Sequence, residues 1–479
     1  MKELIHSDPL AELTKEDRRL LWDLRHLCKT KPEALPKVLL SADWTDAEST
    51  REAHRMLEVW VKPTPKQALD LLDAQFADVR VRTFAVEHLA PITDEELANY
   101  ALQLVQVLER QQHPTERQAF LVSETRPFLQ VLKYETHHDS PLACFLIMRS
   151  LRCPNLIGHI VFWHLKAEVK KTRVLPRVLQ FFSSFHLGFL PTQRRSRVFF
   201  QMHVPEIAER YGVVLELYLE HCGAHLEELM LQNQVMLGLI GTANAIKDPA
   251  LKKAAKLETL RRGLREMVFP ARFSLPLNPT WICKGLKVEK CKYMDSKKLP
   301  LWLVFENAEE GGKDIYVIFK AGDDLRQDLL TLQLFTVMHQ IWMRKGLDLK
   351  LIPYGCVATG DEIGMIEVVL DSDTTANITF DESGGGVRAA WDEKVFTQWL
   401  QKSNKDDNDM DKAVNTFAAS CAGYCVATYA LGIGDRHSDN VMVKRNGNLF
   451  HIDFGHFLGN YKSKCGHPHN MDYPPTRWP

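Results

Sequence analysis

Residues 431–442, LGIGDRHSDNVM, set Asp435, Arg436, His437, Asp439 and Asn440 between two apolar runs. Carboxylates, an imidazole and a carboxamide this close together can bind a cation, move a proton or order a turn. The residues that follow narrow the choice. Residues 441–443 and 449–452 read as β runs, and Asn446-Gly447 between them is the strongest short signal for a two-residue hairpin loop. In that register paired positions sum to 893, which sets Asn440 opposite Asp453. Directly opposed residues have Cβ atoms about 4.5–5.5 Å apart. Two oxygen-bearing side chains at that spacing can share a hard cation such as Mg²⁺. Asn440 and Asp453 are therefore the expected metal pair.

Asp435 and Asn440 are five residues apart, the interval between the same two residue types in the protein-kinase loop H-R-D-L-x-x-x-N, and Asp453 opens an Asp-Phe-Gly. In that chemistry the Asn and the Asp-Phe-Gly acid hold Mg²⁺ on nucleotide phosphates. The local order here is Asp-Arg-His instead. A polar turn with an Asp cap and a left-handed Asn is the bland alternative, but it does not account for loop, hairpin and Asp453 together. The rest of a nucleotide site is expected upstream. Lys320 ends the strand IYVIFK, where a cation can reach phosphates. The turn MDSKKLP offers Ser296 and Lys297, and a surface lysine pair is the plain alternative for it. Residues 366–369, IEVV, can offer backbone groups to an adenine edge, as any buried strand could.

These residues need a scaffold, and the chain divides into two textures. From about Glu16 to about Gly241 it reads helical. Val81, Phe84, Ala85 and Leu89 fall on one stripe, Pro91 interrupts it, and Thr93 with Glu96 forms a capping-box pattern. Short helices with one apolar face need neighbours, so a stack of helix pairs is expected. His159 and His164 read as packing or surface residues. Residues 109–129 and 179–206 fit the pattern poorly and look like inserts. After a charged helix and a Pro-rich connector, strands are expected from Trp281, followed by a helix with Leu330, Leu334, Met338 and Ile341 on its apolar side and Gly346 after its end. A strand-rich half followed by a helical half outlines a two-lobed α+β domain. The 479 residues suit two or three domains, and the formal charge of −1 gives no field that would attract nucleic acid. No apolar run is long enough to span a membrane, so membrane contact would be peripheral. The ten cysteines are scattered, which suits packing thiols in a reducing cytosol.

KAGDDLRQDLLTLQLF, LIPYGCVATGDEIGMIEVV, SCAGYCVATYALGIGDRHSDNVMV and GNLFHIDFGHFLGNYKSK resemble the catalytic core of class I phosphoinositide 3-kinases. LLDAQFADVRVRTFAVEHL, LQLVQVL and LIGHIVFWHLKAEV resemble the helical domain that precedes that core. The resemblance implies an all-α helical-repeat (HEAT-like) domain followed by a two-lobed, protein-kinase-like α+β lipid kinase domain. The expected divisions are an N-terminal tail at 1–15, the helical domain at 16–250 with the two inserts, a linker at 251–280, a kinase N-lobe at 281–370 and a C-lobe at 371–479. After GNYKSKCG the family would continue into an activation loop with basic residues, whereas this chain reads HPHNMDYPPTRWP, so a truncated, poorly stable C-lobe is expected.

The resemblance also implies roles. Ser296 and Lys297 would lie in the phosphate-binding loop, and Lys320 on the ATP phosphates. Asp328 and Tyr354 would line the inner pocket. Glu367 and Val369 would bind adenine through their backbone, with Trp302, Met442 and Ile452 packing on the ring. Asp435, Arg436 and His437 would form the catalytic loop, His437 assisting deprotonation of the inositol 3-hydroxyl, and Asn440 and Asp453 would hold Mg²⁺. The implied reaction moves the ATP γ-phosphoryl group to the 3-hydroxyl of phosphatidylinositol 4,5-bisphosphate and related lipids. A non-catalytic fragment keeping part of the ATP site is one alternative. A related serine/threonine protein kinase is another, although such kinases generally lack the SCAGYCVATY and PYGC wording. The implied partners are phosphoinositide lipid at the membrane surface and, in a full-length member, a regulatory adaptor subunit and a small GTPase. The implied location is cytoplasmic, with peripheral recruitment to the plasma membrane.

Overall fold

The computed structural model describes residues 2–6, 8–73, 75–105, 140–168, 205–383 and 394–456, and the strand pairs at 463–464 and 467–468. The expected insert at 109–129 lies outside these residues, as does that at 179–206 apart from Pro205 and Glu206, which open the helix Pro205–His221.

The first half is helical. Most of its helices are short, although Pro205–His221 and His225–Ala245 are longer, and caps define several starts. Thr14 with Asp17 and Thr64 with Gln67 form reciprocal capping boxes, and Thr93 Oγ1 accepts the Glu96 N–H at 3.1 Å. Helices cover one another's apolar faces: Val79–Leu89 packs on Pro65–Asp70 and on Pro141–Arg152, and His159–Glu168 packs on Asp94–Val105 and on Pro205–His221. Of the expected stripe, Val81, Ala85 and Leu89 are fully buried and Phe84 is partly buried. Beside it lies Arg82, also buried, whose guanidinium donates to the carbonyls of Leu72, Asp73 and Phe76. Residues 1–15 are more than a tail, because the short helix Lys2–His6 buries Ile5 in the helical core.

The strands begin at Phe273 rather than at Trp281. Phe273 stacks on Phe269 and meets Phe305 edge-on, so the residues expected as a connector are drawn into the sheet. The strands are β1 (Phe273–Leu275), β2 (Asn278–Leu286), β3 (Lys292–Tyr293), β4 (Leu301–Asn307), β5 (Ile315–Ala321), β6 (Cys356–Gly360) and β7 (Ile363–Glu367). They pair antiparallel in the order β1-β2-β4-β5-β7-β6, with β3 beside β4. The helix Lys253–Glu266, inside the expected linker, packs on the helix His225–Ala245 and on β3.

One apolar cluster runs unbroken from the helices into this sheet. It joins Trp163, Tyr218 and Leu239 to Phe305, Val317 and Met365. Polar contacts cross the same boundary: His159 Nε2 to the Pro276 carbonyl at 2.8 Å, Gln232 Nε2 to Ser274 Oγ at 2.7 Å, and Lys166 Nζ to the Thr359 carbonyl at 3.1 Å. Burial holds both His159 and His164 down to about 4, so they pack as neutral rings.

A second cluster, with Phe335, Tyr354, Trp399, Tyr424, Phe450 and Phe454, builds the other lobe. Its frame is the helices Arg326–Arg344 and Asp407–Ala430 and a small sheet, β10-β9-β8, of Ser372–Thr374 (β8), Val441–Lys444 (β9) and Leu449–His451 (β10). Of the expected stripe of Arg326–Arg344, Leu330 is buried and Leu334 and Met338 pack half-buried on this cluster. Asp328, Leu330, Thr331, Leu332 and Phe335 are buried, while Ile341 is 44 % exposed. The N-terminal half of this helix lies in the core and its end faces water, so one apolar stripe does not describe it. Gly346 follows the end at φ +75, a position where a side chain would be strained. Among the described residues the nine cysteines are free, and no helix is long and apolar enough to cross a membrane.

Candidate nucleotide and metal site

The hairpin that was to set the metal pair is slipped by one residue. Its pairs are Val443 with Leu449, Met442 with Phe450 and Val441 with His451, which sum to 892. The loop has three residues, Arg445 to Gly447: Gly447 N–H donates to the Lys444 carbonyl at 2.9 Å, and Lys444 N–H to the Asn448 carbonyl at 2.8 Å. Gly447 takes φ +91, the left-handed residue that closes such a loop. The helix Asp407–Ala430 presses on this corner, since a Cβ on Gly447 would lie 2.0 Å from the Ala413 carbonyl oxygen. Asn440 consequently faces Ile452, whose N–H donates to the Asn440 carbonyl at 3.0 Å. Asp453 stands one position beyond, diagonal to Asn440, so direct opposition of the metal pair is corrected.

Arg436 brings the two strand ends together instead. Its guanidinium donates to the carbonyls of Gly434 at 2.9 Å, Ile452 at 2.8 Å, Asn440 at 3.4 Å and Asp453. The planar fork of arginine suits such a gathering of carbonyls. Sequence reading set Arg436 among the catalytic residues; here four of its five N–H donors go to backbone carbonyls, so it also clamps the loop. Asn440 Nδ2 donates to the Asp435 carbonyl at 2.9 Å, which fixes the carboxamide and leaves Oδ1 as its free acceptor. Among the described residues nothing donates a hydrogen bond to that oxygen or to the Asp453 carboxylate. Two oxygen donors of this kind would suit a hard cation that takes its other ligands from elsewhere. Among the described residues no three His, Cys, Asp or Glu side chains group as a metal cage.

Lys320 closes the cationic side. Its Nζ lies 2.9 Å from Asp323. Burial works against the Lys320 ammonium, but the charges of Asp328, Asp323 and Asp453 outweigh it and raise its pKa. Asp328 is buried, accepts the Phe454 N–H at 3.0 Å and is pushed up to about 6, first by burial and against the pull of Lys320. Tyr354 is buried above it, its ring 6.3 Å from that of Phe450, with burial pushing its phenol well above the usual range.

The segment after β7 offers an edge for a base. Glu367 N–H is used by the Gly355 carbonyl at 2.8 Å, so it cannot serve a ligand. Gly355 N–H, however, goes to the Glu367 side chain at 2.7 Å rather than to the Glu367 carbonyl. That leaves the Glu367 carbonyl open, and Val369 N–H has no partner among the described residues. An acceptor and a donor two residues apart match the two-point edge of a purine. Apolar residues flank them from both clusters: Trp302 is packed on the first, while Val369, Met442 and Ile452 are half-buried on the second. Lys292 Nζ stands 5.2 Å from the Trp302 ring centre.

Ser296 and Lys297 lie exposed in the turn after β3. Asp435 is exposed, with His456 Nε2 3.9 Å away. His437 is half-exposed, and its Nδ1 accepts the Asp439 N–H at 3.2 Å. Sequence reading missed Asp323 and the carboxylate role of Glu367. Asp323 depends on how the turn after β5 folds back towards Lys320, and Glu367 on the Gly355 N–H left for its carboxylate, neither of which spacing alone encodes.

Two family models match the chain. The phosphoinositide 3-kinase accessory (PIK) domain matches residues 1–126 and 127–231, and the phosphatidylinositol 3- and 4-kinase domain matches residues 314–477. In Dictyostelium discoideum, phosphatidylinositol 3-kinase 2 is 46% identical over 466 residues, covering 97% of this chain and 22% of the relative. Phosphatidylinositol 3-kinase 1 is 45% identical over 459 residues, 96% of this chain and 25% of the relative. Phosphatidylinositol 3-kinase 3 is 39% identical over 468 residues, 97% of this chain and 24% of the relative. The chain thus spans about a quarter of the length of these relatives. With an accessory helical half and a kinase half in that order, it belongs to the phosphatidylinositol 3-kinase family.

Proposed function

We propose that this chain carries an ATP-dependent phosphoryl-transfer core that acts on the 3-hydroxyl of phosphatidylinositol 4,5-bisphosphate and related phosphoinositides. The observation that carries the reading is the meeting of Lys320, Asp328 and Asp453, with Lys320 on β5 and the open Glu367 carbonyl on the neighbouring strand β7. In this reading the hinge pair holds adenine, Trp302, Met442 and Ile452 enclose the ring, and Lys320, Ser296 and Lys297 face the phosphates. Asp328 and Tyr354 line the inner pocket. Asn440 Oδ1 and the Asp453 carboxylate hold Mg²⁺, which supplies charge neutralisation on the phosphates. Arg436 keeps the Asn440 and Asp453 backbones together, so neither ligand has to be ordered when the nucleotide arrives.

His437 assists removal of the inositol proton. A neutral imidazole has one lone pair, and here the Asp439 N–H occupies it. The ring therefore has to release that bond first, which its exposure permits. Asp435 orients the loop through its carbonyl bond to Asn440. The resemblance of GDRHSDN and FHIDFGH to class I members supports the bisphosphate substrate, an adaptor subunit, a small GTPase and recruitment from the cytoplasm to the plasma membrane. The paired short helices support a HEAT-like reading of the accessory half.

The test uses the full chain. A fluorescent ATP analogue should bind in a Mg²⁺-dependent manner and be lost in Lys320→Met and Asp453→Asn. Transfer from ATP should favour phosphatidylinositol 4,5-bisphosphate vesicles over a serine peptide. Binding that ignores Mg²⁺ and both substitutions, or preference for the peptide, refutes the reading.

A further inference from the structure

The turn between β5 and the helix Arg326–Arg344 is held from three directions. Gly322 and Asp323 N–H groups both donate to the Glu362 carbonyl, at 2.7 and 3.0 Å. The Ala321 carbonyl accepts Lys247 Nζ at 2.5 Å, and the Gly322 carbonyl accepts Lys298 Nζ. Gly322 stands at φ +86, and a Cβ there would lie 3.1 Å from Lys247 Nζ. This turn connects Lys320 to its partner Asp323.

The two ammonium groups come from different parts of the chain. Lys247 follows the helix His225–Ala245 of the accessory half, directly after Ile246, which is fully buried in the shared core. Lys298 belongs to the turn after β3, next to Lys297. The two are close enough for Lys298 to depress the Lys247 ammonium, after burial, with Glu362 opposing. Each charge is tolerated because it takes a separate carbonyl.

We propose that Lys247 is a positioning residue for the nucleotide phosphates. By occupying the Ala321 carbonyl it confines Lys298 to Gly322, and so sets how far the 294–300 turn stands from Lys320. Without it, the Ala321 carbonyl is left for Lys298 to take, and the turn follows. The accessory half thereby sets the geometry of the phosphate side. By reciprocity, a bound triphosphate tightens the packing of the accessory half on the kinase sheet. The inference rests on the nucleotide reading above, but its first readout does not need a nucleotide.

Hydrogen–deuterium exchange is followed in the wild-type chain, Lys247→Met and Lys247→Arg, with binding of the fluorescent ATP analogue measured in parallel. Loss of one charge-assisted hydrogen bond predicts about tenfold faster exchange at 294–300 and 321–324 and about tenfold weaker binding in Lys247→Met. Lys247→Arg should recover both. Unchanged exchange at 294–300, or a rise spread evenly over the sheet, overturns the proposal; the second outcome means that Lys247 only braces the fold. If exchange rises locally while the wild type binds no nucleotide, the clamp stands and the nucleotide reading falls.

Discussion

Replacing Lys166 with methionine should stabilise the chain near neutral pH and destabilise it in base. Lys166 is 7% exposed, in the helix His159–Glu168. Its Nζ donates to the Thr359 carbonyl of β6 and lies 4.4 Å from the Trp163 ring centre, and among the described residues no carboxylate faces it. Burial alone pulls its pKa from the usual 10.5 to about 7. Between those values the unfolded chain holds a proton that the folded chain has released, so stability rises with pH by about 1.4 kcal/mol per unit. The full swing is about 5 kcal/mol. The indole face favours the charged amine by about 1–2 kcal/mol, which trims the swing to roughly 3. Methionine escapes it but leaves the Thr359 carbonyl unpaired, at about 1 kcal/mol. Lys166→Met should therefore be more stable by about 2 kcal/mol at about pH 6.5, and less stable by about 1 kcal/mol above about pH 10.5. Urea denaturation followed by tryptophan fluorescence at several pH values gives the difference. The folded-state charges of His159 and His164, both held to about 4, stay constant over this range. A difference that does not change with pH would mean that the Lys166 amine reaches water, and would refute the reasoning.

Other substitutions test the site itself. Asp328 keeps its proton in the folded chain up to about 6, so its contribution to stability falls as pH rises from the usual carboxylate range to that value. Asp328→Asn should flatten this limb of the pH–stability curve and add about 1–3 kcal/mol at neutral pH, while weakening nucleotide binding through Lys320; urea melts against pH check it. Arg436→Lys cannot span four carbonyls and should lose about 2–3 kcal/mol of loop stability, read as at least about tenfold weaker Mg²⁺-dependent nucleotide binding. Asp453 sits at φ +58. Glycine there should be more stable than alanine by about 1 kcal/mol by thermal melt, yet both should lose Mg²⁺-dependent binding.

Much of the scaffold was legible because it obeys simple periods. Val81, Ala85 and Leu89 of the expected stripe are buried, with Phe84 partly so, and β5 falls on the run IYVIFK, while β7 ends at Glu367 and takes in only the first two residues of IEVV. What was missed has physical causes. Strand β1 is three residues between prolines and gains its place by stacking aromatic rings, a tertiary effect. In Arg326–Arg344 one face turns from core to solvent along its length, so periodicity named Ile341 where Phe335 and Asp328 do the packing. Arg82 reads as a surface charge, but three carbonyl ends converge on it in the core.

The hairpin is the instructive failure. Asn446-Gly447 signals a tight turn correctly, yet two loop lengths use a left-handed glycine, and only the neighbour decides between them. Here the Ala413 carbonyl leaves no room for a side chain at Gly447, and Ser420 Oγ takes the Leu449 N–H at 2.9 Å, which locks the three-residue form. The slip removes Asp453 from the ladder, because pairing ends at Val441 with His451. A ligand facing Asn440 across a strand pair would have its position dictated by register. Asp453 is instead released into a left-handed bend and held by one guanidinium that also holds Asn440, Ile452 and Gly434. In the proposed reading, the placement of Asn440 and Asp453 then depends on Arg436 more than on the strands. That explains how a short, polar loop stands between two buried segments: Arg436, the Asn440 carboxamide and His437 Nδ1 are engaged with backbone groups, while the Asp435 and Asp439 side chains lie at the exposed surface.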